Sequence, residues 1–185
     1  MAHIDSLTAV KYTTLWYSTD DTDRDALNDT DGSDWSGLFT SSNSFPVGNI
    51  REFPSLGTPA NIVNVPVYGQ SVSSQVGGQA DAPTLEFTLN YVPTNHAAVD
   101  DLRRNSTAVY WRVRMTDADA GGLDSADAPL SDLGYADIYF RGTVQSFEIT
   151  PSLSDAMQAT FSVSIDGDFA GPFSAASGGT YGPPA

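Results

Sequence analysis

Hydrophobic and polar positions alternate most strictly in two stretches. In "TLEFTLNYV", Leu85, Phe87, Leu89 and Tyr91 share one face, and Thr84, Glu86, Thr88 and Asn90 share the other. In "DAMQATFSVSIDGD", Met157, Ala159, Phe161, Val163 and Ile165 alternate with Gln158, Thr160, Ser162 and Ser164. A period of two predicts strands with one buried and one wet face, the mark of an antiparallel sheet. "TAVYWRVRM" sets Val109, Trp111, Val113 and Met115 against Tyr110, Arg112 and Arg114. "YADIYFRGTVQSFEIT" changes phase: Ile138, Phe140 and Val144 share one parity, Phe147 and Ile149 the other. A bulge near Gln145–Ser146 reconciles them. The intervening "PSLS" predicts that this strand and the next form a hairpin.

Two further strands are expected at 9–18, rich in Tyr, Thr and Trp, and around Val63, Val65 and Val67, where Pro66 marks an edge or a strand end. "FPVGNIREFPSLGTP", with three prolines, predicts an extended loop. One helix is expected, about 94–104 in "PTNHAAVDDLRRN", capped by Thr94 or Asn95, with Asn105 at its exit. The result is six or so strands and one short flanking helix: a mainly β fold, an antiparallel β-sandwich or partly closed barrel. A single domain is expected over 1–170, with acidic loops at 19–44 and 117–134. A linker-like C-terminal arm follows at 171–185. The acidic segment after the first strand is too polar to be expected in a core.

Charge changes the picture. The chain of 185 residues carries 23 acids against 8 bases, a formal net charge of −15. Apart from Glu52, Glu86 and Glu148 the acids are all Asp, and apart from Lys11 the bases are all Arg. Such an excess strains a compact state by self-repulsion. At roughly 1 M salt the Debye length is about 3 Å and that repulsion fades. Many Asp with almost no Lys resembles adaptation to a salt-saturated cell, as in halophilic archaea; the alternative is an ordinary acidic protein kept soluble by its charge. Affinity for nucleic-acid phosphate, which needs basic surface, is disfavoured.

Catalytic chemistry is sparse. There are no cysteines, and the only histidines are His3 and His96. No Gly-x-Ser-x-Gly elbow marks a nucleophile, and Gly77–Gly78 fits no phosphate-binding spacing. "DTDG" at Asp29–Gly32 resembles the middle of a calcium loop, but its first and last ligand positions fall on Leu27 and Leu38. No metal, cofactor or enzymatic activity is expected. Asn28 and Asn105 head Asn-x-Thr sequons but follow no secretory signal. No apolar run approaches the roughly 20 residues that span a bilayer. Arg112 and Arg114 share one strand face. They either pair with the chain's own Asp surplus or meet an acidic loop of a neighbouring subunit.

Three stretches carry a resemblance: "VPVYGQSVSSQVGGQADAPTLEFTLNYVP", the helix "TNHAAVDDLRR" directly after it, and "YFRGTVQSFEITPSLSDAMQATFSVSIDGDF". Over about residues 60–170 the chain resembles the major tail tube proteins of long-tailed, siphovirus-type viruses. The resemblance implies a virion protein, made in the host cytoplasm, that self-assembles into stacked hexameric rings. These form a tube conducting DNA during ejection. Its partners would be copies of itself and other tail proteins (tape measure, tail terminator and distal tail), with no membrane. DNA would pass without specific binding. Glu86, Thr88, Asn90, Gln158, Thr160, Ser162 and Ser164 would then line the lumen. Arg112, Arg114, Asp117, Asp119, Asp124 and Asp127 would contact neighbouring subunits. Gly77–Gly78 would be a turn, or a loop that meets the next ring. The alternative from another class is a carbohydrate- or receptor-binding module, or a capsid decoration protein, of the same sandwich fold.

Overall fold

A computed structural model describes residues 12–28, 32–40, 42–57, 62–65, 68, 74–77, 83–116, 135–152 and 156–175. It contains strands β1 (Tyr12–Ser18), β2 (Ser44–Val47), β3 (Ile50–Glu52), β4 (Ile62–Val65) and β5 (Ser74–Gly77). The later strands are β6 (Thr84–Asn90), β7 (Ala108–Thr116), β8 (Tyr135–Thr150), β9 (Gln158–Ile165) and β10 (Ala170–Ala175). Helices α1 (Gly32–Gly37) and α2 (Pro93–Arg104) complete the set. The main sheet runs β2-β1-β7-β8-β9-β6-β3, with β10 also on β8, and every pairing in it is antiparallel. The fold is mainly β with a short flanking helix, as the alternation requires.

β8 organises the sheet because it is long enough for three partners. Its first half pairs with β7 on one edge, and along the other edge β10 covers its start and β9 its end. The register shifts between Val144 and Ser146, the bulge that the change of phase demands. Just before it, a Cβ on Gly142 would lie 2.7 Å from the Ser164 carbonyl oxygen and from Val163, so this close approach requires glycine. The Gly142 carbonyl accepts the Trp111 indole N–H at 3.2 Å.

The inner faces of β1, β6, β7, β8 and β9 build one core. Leu15, Leu85, Phe87, Trp111, Phe140 and Phe161 are all but sealed from solvent. The Phe161 ring stacks on Phe87, Trp111 and Phe147. Burying each such side chain stabilises the fold by about 1.5–3 kcal/mol. The two margins of the sheet are occupied by one segment. β2 lies on β1, the chain turns at Gly48 and Asn49, where Asn49 takes φ 58°, and β3 lies on β6. The sheet is therefore curled but not closed by hydrogen bonds. The proline-rich stretch expected as a loop supplies both short edge strands, with Pro46 in an edge position as its missing N–H requires.

The helix begins differently from expectation. Val92 is the N-cap, Pro93 occupies the first turn, and neither Thr94 nor Asn95 caps it. Instead, the Thr94 hydroxyl donates to the Asn95 side chain. His96 supplies the end chemistry. Its Nδ1 accepts the Val92 N–H at 3.0 Å, which leaves Nε2–H to donate to the Gly48 carbonyl at 3.0 Å. The fully buried ring thus ties the start of α2 to the turn between β2 and β3. Val99 enters the main core from the helix, and Asp100 holds Arg103 and Arg104 on the outer side.

Residues 171–175, expected as the start of the C-terminal arm, are strand, and 176–185 lie outside the described residues. β10 continues the sheet through Ala175, and Phe173 is buried. Gly171, at φ 105°, permits the local register shift that carries the chain there.

Candidate interaction surfaces

The outer side of the sheet presents two contrasting surfaces. The first lies over β6, β9 and the second half of β8. The registers set Thr84 beside Ser164 and Thr143, Glu86 beside Ser162 and Ser146, Thr88 beside Thr160 and Glu148, and Asn90 beside Gln158 and Thr150. Four rows of three side chains result, every one a hydroxyl, an amide or a carboxylate. The rows hold no Lys or Arg. Glu86 and Asn90 are exposed, and Thr88, Gln158, Thr160, Ser162 and Ser164 are half-buried by their neighbours. The Ser146 and Ser162 hydroxyls are 2.6 Å apart. All seven lumen candidates thus share one continuous face, with Leu85, Phe87 and Leu89 on the opposite, buried side.

The second surface lies over β1, β7, the first half of β8, and β10, and it is covered. The acidic segment expected to be too polar for a core folds over it. Trp35, Leu38 and Phe39 are buried against Trp16, Tyr110, Tyr139, Ala170 and Phe173. Trp35 packs edge-on to Tyr110, and Phe39 lies 5.6 Å from the Tyr139 ring. The signal was present: Trp35, Leu38 and Phe39 have the i, i+3, i+4 spacing of a helical apolar stripe. The surrounding aspartates obscured it. Asp21, Asp23, Asp25 and Asp34 stay outside, where Asp23 caps the 3-10 turn at Arg24–Ala26, and Arg24 lies 4.8 Å from the Trp35 ring centre. The Tyr110 hydroxyl donates to the Thr22 carbonyl at 2.6 Å, and the Ser18 hydroxyl donates to the Leu38 carbonyl. Burial raises the Tyr110 phenol, outweighing the Arg141 and Arg24 charges that lower it.

Arg112 and Arg114 belong to this covered surface. Arg114 makes a two-pronged ion pair with Asp137 on the neighbouring strand, Nε–Oδ1 2.8 Å and Nη2–Oδ2 2.7 Å. The Tyr139 hydroxyl donates to the same carboxylate at 3.0 Å. The Arg112 guanidinium carbon lies over the rings of Trp16, 5.3 Å from its centre, and Phe39, 4.8 Å from its centre. Both arginines are buried within their own chain, and Arg114 pairs with its own Asp. Of the two readings of these arginines, the pairing of Arg114 with Asp137 is the one within the chain's own Asp surplus. Asp117, Asp119, Asp124 and Asp127 lie outside the described residues. Among the described residues no group of three or more His, Asp or Glu side chains is arranged to hold a metal ion. No described helix is long and apolar enough to cross a membrane.

No protein-family model matches the sequence, and no curated protein matches it. The fold does have a counterpart among solved structures. It is similar to a chain of the six-fold symmetrised baseplate of the anti-feeding prophage, at TM-score 0.53 and 10% identity. The likeness covers 89% of this chain and 95% of that one. At such low identity the likeness is one of fold, spread over nearly the whole of both chains.

Proposed function

We propose that this chain is a structural subunit of a phage-type tail, and that it assembles into stacked hexameric rings forming a tube for DNA. The observation that carries this is the four base-free polar rows of β6, β9 and the second half of β8. A conduit must not grip phosphate, because each Lys or Arg contact adds salt-sensitive affinity. Hydroxyl, amide and carboxylate groups present a wet wall that repels or ignores DNA. The covered face, with its Asp-rich overlay, is then the outside of the tube. The fold likeness to a chain of a six-fold phage-derived assembly supports the same class of role. The excess of Asp and near absence of Lys fit a siphovirus-type virus of a halophilic archaeal host. The subunit has no catalytic part to play; its partners are its own copies, the other tail proteins and DNA in transit.

Electron microscopy of the purified full chain in about 2 M salt tests this directly. Rings or tubes with the β6–β9 face toward the lumen are expected. Uniform monomers under those conditions, or tubes with that face on the outer wall, would overturn it. Glycan binding by such monomers would point to the receptor-binding class instead.

A further inference from the structure

We propose that His96 is an acid-sensitive latch: on taking up a proton, its ring releases the turn between β2 and β3 and loosens the curl of the sheet. The latch belongs to the folded subunit and acts whether or not that subunit assembles.

The two ring nitrogens meet opposite demands. Nδ1 accepts the Val92 N–H and Nε2–H donates to the Gly48 carbonyl, each at 3.0 Å. Only the neutral ring with its hydrogen on Nε2 can do both. An imidazolium carries a hydrogen on each nitrogen, so at Nδ1 it would set one donor against another. The surroundings hold nothing to offset the new charge. The ring is fully buried, and among the described residues no carboxylate pairs with it. Tyr91, at the end of β6, stacks on it with ring centres 6.0 Å apart. On α2 itself Asp100 stands one turn on, but Arg103 and Arg104 engage it. β8, which packs against α2, turns Phe147 toward the core and Glu148 onto the polar rows. The β2–β3 segment brings uncharged Gly48 and Asn49, and its own charges, Arg51 and Glu52, are exposed. A buried charge without a partner is costly, so the proton goes to a form in which the ring has left its site.

What the ring holds decides what is released. β2 lies on β1 and β3 on β6, so the turn at Gly48 and Asn49 joins the two margins of the sheet. The Asn90 N–H donates to the Asn49 carbonyl at 2.9 Å, and His96 adds the tie to α2. A cavity of about 170 Å³ lies beside the turn, between Thr13–Trp16 and Pro46–Ile50, and gives it room to move. Loss of the two His96 bonds frees the start of α2 and the turn together. The pairing of β8 with β9 does not depend on either.

Hydrogen exchange of the full chain, read by mass spectrometry in about 2 M salt from about pH 8 to about pH 5, tests this. The open form takes up the proton and the closed form does not. The closed form is therefore favoured above the titration of a free imidazole, about pH 6.5, and loses that advantage as pH falls below it. After correction for the chemical exchange rate, opening at 92–97 and 47–50 should rise about tenfold for each pH unit below that point, the limit for one proton. β9 should stay protected. Asp100 does not mimic the effect, since Arg103 and Arg104 hold its pKa below the ordinary carboxylate value. His96→Gln, whose amide takes up no proton in this range, should open to an extent that no longer varies with pH. Imidazole nitrogen NMR, recorded in His3→Gln so that the signal is that of His96, should show the Nε2–H tautomer at about pH 8 and an imidazolium appearing in step with the opening. That readout decides the matter if His96→Gln does not fold. An imidazolium signal with 92–97 still protected would overturn the latch. So would opening that stays constant down to about pH 5, or the same pH dependence in His96→Gln. Exchange rising equally in β9 would also overturn it, as acid unfolding of the whole domain.

Discussion

The two outer surfaces of the sheet are built by the same alternation and end in opposite environments. Over β6, β9 and β8, the outward residues Glu86, Thr88, Thr160 and Ser162 stay in contact with water. Over β1, β7 and β8, the outward residues Trp16, Arg112, Arg114, Asp137 and Tyr139 are buried, Trp16 and Tyr139 in one cluster with Trp35, Leu38 and Phe39 of α1 and the segment around it. Burial on both faces demands that every charge find a partner, which is why Arg114 and Asp137 meet in a two-pronged pair. The wet face needs no such pairing, so its side chains answer to solvent and to whatever passes over them. One half of the sheet is therefore fixed by packing and the other left free for contact.

Trp35→Ala should break the contrast most severely, since it removes the central ring of the covering layer. A loss of about 3–5 kcal/mol is expected for truncating a buried Trp. Denaturant unfolding in high salt measures it, and a loss below 1 kcal/mol would show that the layer is dispensable.

Asp137→Ala should cost about 3–5 kcal/mol by the same measurement, because it strands the Arg114 cation in a buried site. The double change Asp137→Leu with Arg114→Met should recover much of that loss. If the single change is tolerated, the covered face is wetter than its packing indicates.

His96→Ala removes the ring that the Val92 N–H and the Gly48 carbonyl share, at an expected cost of about 0.5–1.5 kcal/mol for each hydrogen bond lost. Hydrogen exchange should localise the effect to the start of α2 and the β2–β3 turn.

On the wet face, Thr160→Lys should change subunit stability by no more than about 0.5 kcal/mol. Its effect should appear in assembled tubes, as DNA retention that fades with added salt. A large loss of subunit stability would mean that this face is packed, and the comparison would fail.

The smallest effect concerns the outer side of α2. Burial alone would raise the Asp100 pKa, but hydrogen bonding and charge from Arg103 and Arg104 overcome it and hold the pKa below its ordinary value. Its contribution is therefore present above the unfolded carboxylate pKa and is lost as pH falls through the lower folded one. Asp100→Asn should remove about 0.3–0.5 kcal/mol per ion pair at low ionic strength and less in molar salt. A thermal melt series against pH and salt would detect it.

The alternation of β6 and β9 determined their faces outright, because a strand one residue out of phase would put Phe87 and Phe161 into water. The phase change in β8 likewise announced its bulge. Segments whose structure depends on distant partners were less legible. β2 and β3 are short and proline-bearing, and β10 lies in a stretch of small residues. Each forms because an edge of β1, β6 or β8 was there to receive it. The acidic segment was misjudged for a related reason: its mean polarity is high, yet three residues suffice to cover a sheet. Arg112 and Arg114 show the limit most clearly. Their shared face was plain in the sequence, and Asp137 was one of many possible partners. Sequence order fixes which side of a strand a residue takes, by a local stereochemical rule. What covers that side depends on contacts between residues far apart in the chain, and those exist only once the sheet has curled and the segment between β1 and β2 has folded over it.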